Sequence, residues 1–254
     1  MNAVKLSVVI ITYNEERNIL NCLKSVQHIA DEIVVVDSYS SDKTAEIAKQ
    51  FGAKVILHKF EGHIQQKNYA ITLAANPYIL SIDADEMPDT TLLEQIKLVK
   101  QNWIYDGYSA NRLNNYCGQW IKHGAWFPDI KLRLWNSSKG EWKGLNPHDK
   151  FEMSSTSKIK HLPGNLLHYS YQNKDQHLKK TDYFSSISAN AYNSNGKKSS
   201  QLKIIFSPIF RFTRDYFFKL GFLDGINGFK IATISAFEVY LKYKKLYQLQ
   251  TQTK

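Results

Sequence analysis

The chain has 254 residues, 43% of them hydrophobic, and a formal charge of +10. Such a length and apolar content supply a sizeable core and exclude a disordered chain, leaving one large domain or two small ones. From Asn195 onward eleven basic residues face three acidic ones, so +8 of the charge lies there and only +2 before it. This excludes a nucleic-acid-binding surface spread over the whole molecule.

Cys22 and Cys117 lie far apart without metal-type spacing, so no disulfide framework is expected and both read as inert core thiols of a reducing compartment. The opening MNAVKLSVVIITYNEE has a lysine and an apolar run like a signal peptide, but Asn14, Glu15 and Glu16 interrupt it; it reads as a first strand. No uninterrupted apolar stretch reaches the roughly 20 residues that cross a bilayer. Any membrane association is therefore expected to be peripheral.

Along the chain, β-branched runs at 6–13, 32–37, 53–60 and 78–85 alternate with helix-like segments ending near Gln27, Phe51, Ala74 and Gln101. The order βαβαβα predicts an α/β fold with a mainly parallel sheet covered by helices on both faces, and the near-continuous Val, Ile and Leu of the strands suits burial on both sides. Residues 106–170 turn rich in Trp, Tyr, Asn, Gly and His, with short strands expected at 108–116 and 130–135. Aromatic-rich loops of this kind line binding surfaces, although a plain extension of the core is the competing reading.

From about Lys174 the pattern is helical, with a polar linker at 193–201. Ser207 and Pro208 read as the cap and first residue of a helix that Gly221 ends. On it Arg211, Arg214, Asp215 and Lys219 gather on one side and Ile209, Phe212, Tyr216 and Leu220 on the other. That division suits an anionic membrane interface, and equally a helix packed on its own domain.

Three of the four early strands end in polar residues: Thr12, Tyr13, Asn14 and Glu15, then Asp37 and Ser38, then Asp83 and Asp85. In open parallel sheets the ligand lies outside the carboxyl ends of the strands, so these ends describe a pocket. Neither G-x-G-x-x-G nor G-x-x-x-x-G-K-[ST] occurs, which makes a nicotinamide-dinucleotide site or a P-loop improbable. Without a glycine loop a diphosphate needs another counter-charge, and a divalent cation on carboxylates supplies it. Asp83 and Asp85, two apart in an extended segment, face one way. The plainer readings are a solvated strand end or a helix cap for the aspartates, an N-cap for Asn14, a turn cap for Asp37 and a helix cap for Asp42.

VVIITYNEERNI, EIVVVDSYSSDKT, GHIQQKNYA and LSIDADE, in that order, resemble a family-2 glycosyltransferase of the GT-A fold. The resemblance implies a nucleotide-sugar donor held by Thr12, Asn14, Glu15, Asp37 and Asp83, with Lys67 near the donor phosphates. It places Mg²⁺ or Mn²⁺ on Asp85, with His168 a further metal contact. HGAWFPDIKLRLW, NPHDKF, LLHYSY and FLDGINGF are most similar to the bacterial lipopolysaccharide core enzymes that add β-linked glucose, from UDP-glucose, to inner-core heptose. That group carries His-Glu where this chain has His148-Asp149.

The resemblance further implies an inverting transfer with Asp149 as base, Asp129 as the second choice, and Trp126 and His148 against the acceptor; Trp120 is another sugar-stacking candidate. The expected division is a catalytic domain at 1–172, with a donor half at 1–105 and an acceptor half at 106–172, followed by a helical region at 173–254. The expected setting is the cytoplasm, peripheral on the inner membrane face, with a lipopolysaccharide core or another lipid-linked or surface-polysaccharide acceptor. A D-x-D phosphatase fits less well, because its aspartate pair follows the first strand rather than the fourth.

Overall fold

The computed structural model describes residues 3–145 and 148–252, without the side chains of Leu145, His148 and Gln252. Four strands, β1 (Leu6–Thr12), β2 (Glu32–Asp37), β3 (Lys54–Leu57) and β4 (Tyr78–Asp83), pair in parallel in the order β3-β2-β1-β4. The connections carry helices α1 (Ile19–Val26), α2 (Thr44–Gln50) and α3 (His63–Thr72). Successive strand residues point to opposite faces, and here both faces are buried. Val8, Ile10, Val35, Leu80 and Ile82 join one core with α1, while Val9, Val34, Val36 and Ile79 join another on the opposite side.

The remaining strands turn this parallel half into a mixed sheet. After β4 come β5 (Glu86–Pro88) and helix α4 (Thr90–Gln101), capped by Asp89, whose carboxylate accepts from Leu92 N at 2.8 Å. Then β6 (Gly107–Tyr116), β7 (Gln119–Trp120), β8 (Ile130–Asn136), β9 (Gly140–Leu145), β10 (His148–Met153) and β11 (Ile159–Tyr171) follow. The full order is β3-β2-β1-β4-β8-β6-β11-β5, with β7 paired to β6 and β9 with β10 forming a separate antiparallel hairpin. β8 runs antiparallel to both β4 and β6, as β11 does to β5. The expected α/β sheet with helices and a helical C-terminal extension is present; β5, β7 and β9 to β11 were not anticipated.

The chain divides into two compact units, Met1–Arg112 with Asp129–His168, and Leu113–Pro128 with Tyr169–Lys254. The second contains α5 (Lys174–Ser194), α6 (Gln201–Thr213) and α7 (Gly225–Gln252). Its aromatic core gathers Tyr116, Trp126, Tyr171 and His177. Among the described residues no helix is long and apolar enough to cross a membrane.

Two local expectations are corrected in this unit. Ser200, not Ser207, caps α6, accepting from Lys203 N at 3.3 Å, and Pro208 lies inside the helix, where only the bond to the Ile204 carbonyl is forgone. Gly221 opens a 3₁₀ turn, Gly221–Asp224, after a π-helical turn, Arg214–Phe218. The anticipated apolar face is split by the same change of winding. Phe212 and Tyr216 pack on Phe229, whereas Ile209 and Leu220 are exposed. Asp215 is buried in ion pairs with Arg211 and Arg214. Cys22 is buried as expected, but Cys117 is exposed, at φ +52° beside Gly118 at +87°, where a tight turn joins β6 to β7.

Candidate active site

Strand register sets the rim: Thr12 lies opposite Asp37, and Ile11 opposite Asp83, so the carboxyl ends of β1, β2 and β4 are level. Asp37 is fully buried and accepts from Ser40 N at 2.8 Å and Ser40 Oγ at 2.5 Å, which folds the 38–41 loop back over the strand end. Asn14, at φ +54°, donates its N–H to Ser40 Oγ at 2.8 Å and accepts from Ser41 N at 2.8 Å. It therefore joins two rim loops and does not cap α1, whose cap position is Asn18. Glu15 N donates to Thr44 Oγ1 at 2.8 Å, and the Glu15 carboxylate accepts from Asn18 Nδ2 at 2.6 Å. Among the described residues Thr12 Oγ1 is buried with no hydrogen-bond partner, so a polar ligand at this rim would satisfy it.

Asp83 and Glu86 bracket a turn in which Asp83 N donates to Glu86 Oε2 at 3.0 Å. Glu86 is completely buried, where a lone carboxylate would be costly, and two guanidiniums compensate it: Arg133 Nη2 at 2.7 Å and Arg112 Nη1 at 3.5 Å. Arg133 Nη2 also stands 3.3 Å from Asp83 Oδ2. Burial pushes the Asp83 carboxyl up, but the charges of Lys67, Arg133 and Arg112 outweigh it and hold the group well below the usual carboxylate range. Asp83 is thus a fixed anion.

Lys67 is buried on α3, with its Nζ 2.8 Å from Asp149 Oδ2, 3.3 Å from Asp83 Oδ1 and 4.4 Å from the Trp142 ring centre. The neighbouring residue fixes this arrangement. Asn68 donates to Trp142 O at 2.9 Å and accepts from Trp142 N at 2.9 Å, clamping β9 to α3. Asp149 lies across the hairpin from Gly144, so the clamp also sets the carboxylate that Lys67 meets. Phe151 of the hairpin stacks on Trp135, and the Trp142 ring meets both edge to face.

β5 and β11 pair with His168 opposite Glu86, which brings His168 Nε2 to 3.3 Å from Asp85 Oδ2. Gly164 makes this pairing possible: at φ +92°, a Cβ there would stand 2.4 Å from Leu92 N. Among the described residues no group of three or more His, Cys, Asp or Glu is arranged to hold a metal ion. A carboxylate oxygen beside an imidazole nitrogen fits a divalent ion that completes its shell with phosphate oxygens and water.

The structure thus gathers Asp83, Lys67 and Asp149 in one ion-paired group and joins Asp85 to His168. Asp129 lies at the far end of the arginine network, paired with Arg112 Nη2 at 2.8 Å and Lys131 at 3.0 Å. Burial raises its carboxyl, but Arg112 and Lys131 prevail and lower it. Trp126 and Trp120 belong to the second unit, Trp126 against Tyr171 and His177 and Trp120 against Tyr169. The His148 side chain lies outside the described residues. Glu86, Arg133, Arg112 and Asn68 were not anticipated. A charge inside the apolar run IKLRLW was the available signal for Arg133; nothing in the sequence marked Asn68.

The family described as glycosyl transferase family 2 matches residues 7–159. An uncharacterised glycosyltransferase of Rickettsia typhi is 32% identical over 98% of this chain and 89% of its own. The lipopolysaccharide core biosynthesis glycosyltransferase LpsC of Rhizobium meliloti is 28% identical over 96% of this chain and 92% of its own. Among solved structures, TarS 1–349 of S. aureus in complex with UDP is similar over 98% of this chain and 92% of that one, at TM-score 0.47 and 14% identity.

Proposed function

Because the chain belongs to glycosyl transferase family 2, we propose that it is a metal-dependent, inverting hexosyltransferase that moves glucose from UDP-glucose to the inner core of a lipopolysaccharide. It works at the inner face of the cytoplasmic membrane. The observation that supports this reading is the Lys67 ammonium held between Asp149 and Asp83, with Asp85, two residues after Asp83, facing His168. The acceptor class is supported by similarity to LpsC, named for lipopolysaccharide core biosynthesis.

In this reading Thr12, Asn14, Glu15 and Asp37 surround the nucleoside, and Asp83 meets the ribose. Asp149 takes the proton of the acceptor hydroxyl as that oxygen bonds to the anomeric carbon, while the bond from that carbon to the phosphate oxygen breaks. Attack opposite the leaving group inverts the centre. The buried Lys67 ammonium offsets negative charge growing on the departing diphosphate. A divalent ion on Asp85 and His168 would supply Lewis acidity at that same leaving group. Trp126 and His148 remain the proposed acceptor contacts.

Calorimetry on the purified full chain with Mn²⁺ or Mg²⁺, titrated with several UDP- and ADP-sugars, tests the reading. UDP-glucose is expected to bind best, and Asp85→Ala to lose the metal-dependent part of binding. If no nucleotide sugar binds, or Asp85→Ala binds and turns over normally, the reading fails.

A further inference from the structure

Helix α6 buries none of its residues, and its apolar side chains follow helical spacing on an open face: Leu202, Phe206, Ile209 and Phe210 are 57–68% exposed. The surface continues past the helix through Phe218, 80% exposed, and Ile226, 66% exposed. Apolar side chains in water at this density mark a site that something covers. The surrounding charge identifies the occupant.

Residues 201–230 contain five cations, Lys203, Arg211, Arg214, Lys219 and Lys230, and two acids, Asp215 and Asp224. Both acids are buried. Asp215 is held by Arg211 and Arg214, and Asp224 accepts from His123 N at 2.8 Å and Lys122 N at 3.2 Å. The segment therefore presents aromatic and aliphatic groups among cations, with no carboxylate at its surface. A second copy of the chain would bring the same cations against these. An anionic lipid surface complements both components, the headgroups taking the cations and the acyl boundary the side chains.

We propose that α6, the π-helical turn after it and the start of α7 form an interfacial docking surface for an anionic bilayer. The surface lies in the headgroup layer and does not span the membrane, in keeping with the absence of a long apolar helix among the described residues. It deepens the reading of a lipid-linked acceptor, on which its biological sense rests, by naming the side chains that meet the membrane. The apolar set differs from the one that helical periodicity alone selects, because Phe212 and Tyr216 face Phe229.

The test is co-sedimentation of the purified full chain with vesicles of phosphatidylglycerol mixed with phosphatidylcholine, and with phosphatidylcholine alone. Binding is expected to the first, weakening as salt rises, and to be much weaker to the second. The double variant Phe206→Ser, Phe210→Ser is expected to lose tenfold or more of the partitioning, on the order implied by two exposed aromatic side chains. Lys203→Glu with Lys219→Glu is expected to remove the preference for the anionic vesicles. Thermal unfolding and vesicle-free nucleotide-sugar binding by both double variants should match the parent, so loss of docking is separable from loss of fold or of donor binding. Equal binding to both vesicle types overturns the proposal, as does anionic binding that survives Phe206→Ser, Phe210→Ser. A stable dimer by light scattering that this variant dissociates also overturns it, assigning the face to a second copy.

Discussion

The Lys67 ammonium donates to Asp149 at 2.8 Å, tying the middle of α3 to the β9–β10 hairpin over the ring of Trp142. A proposed base is therefore paired with a cation that also faces Asp83 at 3.3 Å.

Residues that act as a unit lose activity together. Asp149→Asn is expected to lower kcat by about 10²–10⁴, and Lys67→Met to lower it as well. The double variant should fall little below the worse single one. Single-turnover rates of the three variants check this; multiplying losses would show that the two residues act independently.

Asp129 gives the contrasting result. Its carboxyl is lowered by Arg112 and Lys131, so it stabilises the fold at neutral pH, and that contribution is lost as pH falls below the unfolded value of about 3.9 and through the lower folded one. Asp129→Asn should unfold at a lower temperature than the parent at pH 7, with the gap closing below about pH 4, and should keep more activity than Asp149→Asn. Melting curves across pH, beside rates at neutral pH, read both effects.

Glu86 holds Arg133 and Arg112 from a fully buried position. Glu86→Gln removes the buried carboxylate that both guanidiniums share, leaving Arg133 with Asp83 and Arg112 with Asp129, and is expected to cost about 3–5 kcal/mol. Urea unfolding of the parent and variant measures it; a loss under about 1 kcal/mol would mean that the arginines find other partners.

His177 lies in the aromatic core of the second unit, and burial, with the charge of Lys180, pushes it down to about 4. The unfolded chain binds a proton near pH 6.5 that the folded chain refuses, so stability should fall as pH drops from about 6.5 to 4 and then level off. The full effect is on the order of 3 kcal/mol. His177→Phe should flatten the loss across that window in denaturant titrations, and an unchanged slope would assign it to another group.

The parallel half of the sheet was legible because buried parallel strands must be apolar on both faces, and LSVVIIT, EIVVVD and YILSID follow that requirement without the rest of the chain. The rim was legible for the same reason: an apolar run that stops at Asp37 or Asp83 marks where a strand leaves the core. Long-range pairing decided the remainder. The β5–β11 register brings His168 to Asp85 across more than eighty residues of chain, and Asn68 meets Trp142 through backbone groups that every residue possesses. The third carboxylate of DADE gained its role only when Arg133 and Arg112 arrived from β8 and β6. The reversal on α6 has a similar cause: periodicity divides a helix into faces, but the packing of Phe229 against Phe212 and Tyr216 chooses which aromatics are covered. Local sequence located the four parallel strands and the polar groups near their ends, since burial acts on each segment alone. But β3 stops at Leu57 and β4 at Asp83, short of the runs 53–60 and 78–85, so Asp85 lies in the following turn and not beside Asp83 on one extended segment. Only the tertiary structure decided which charges meet, because an ion pair is fixed by distance in space and leaves no periodic trace along the chain.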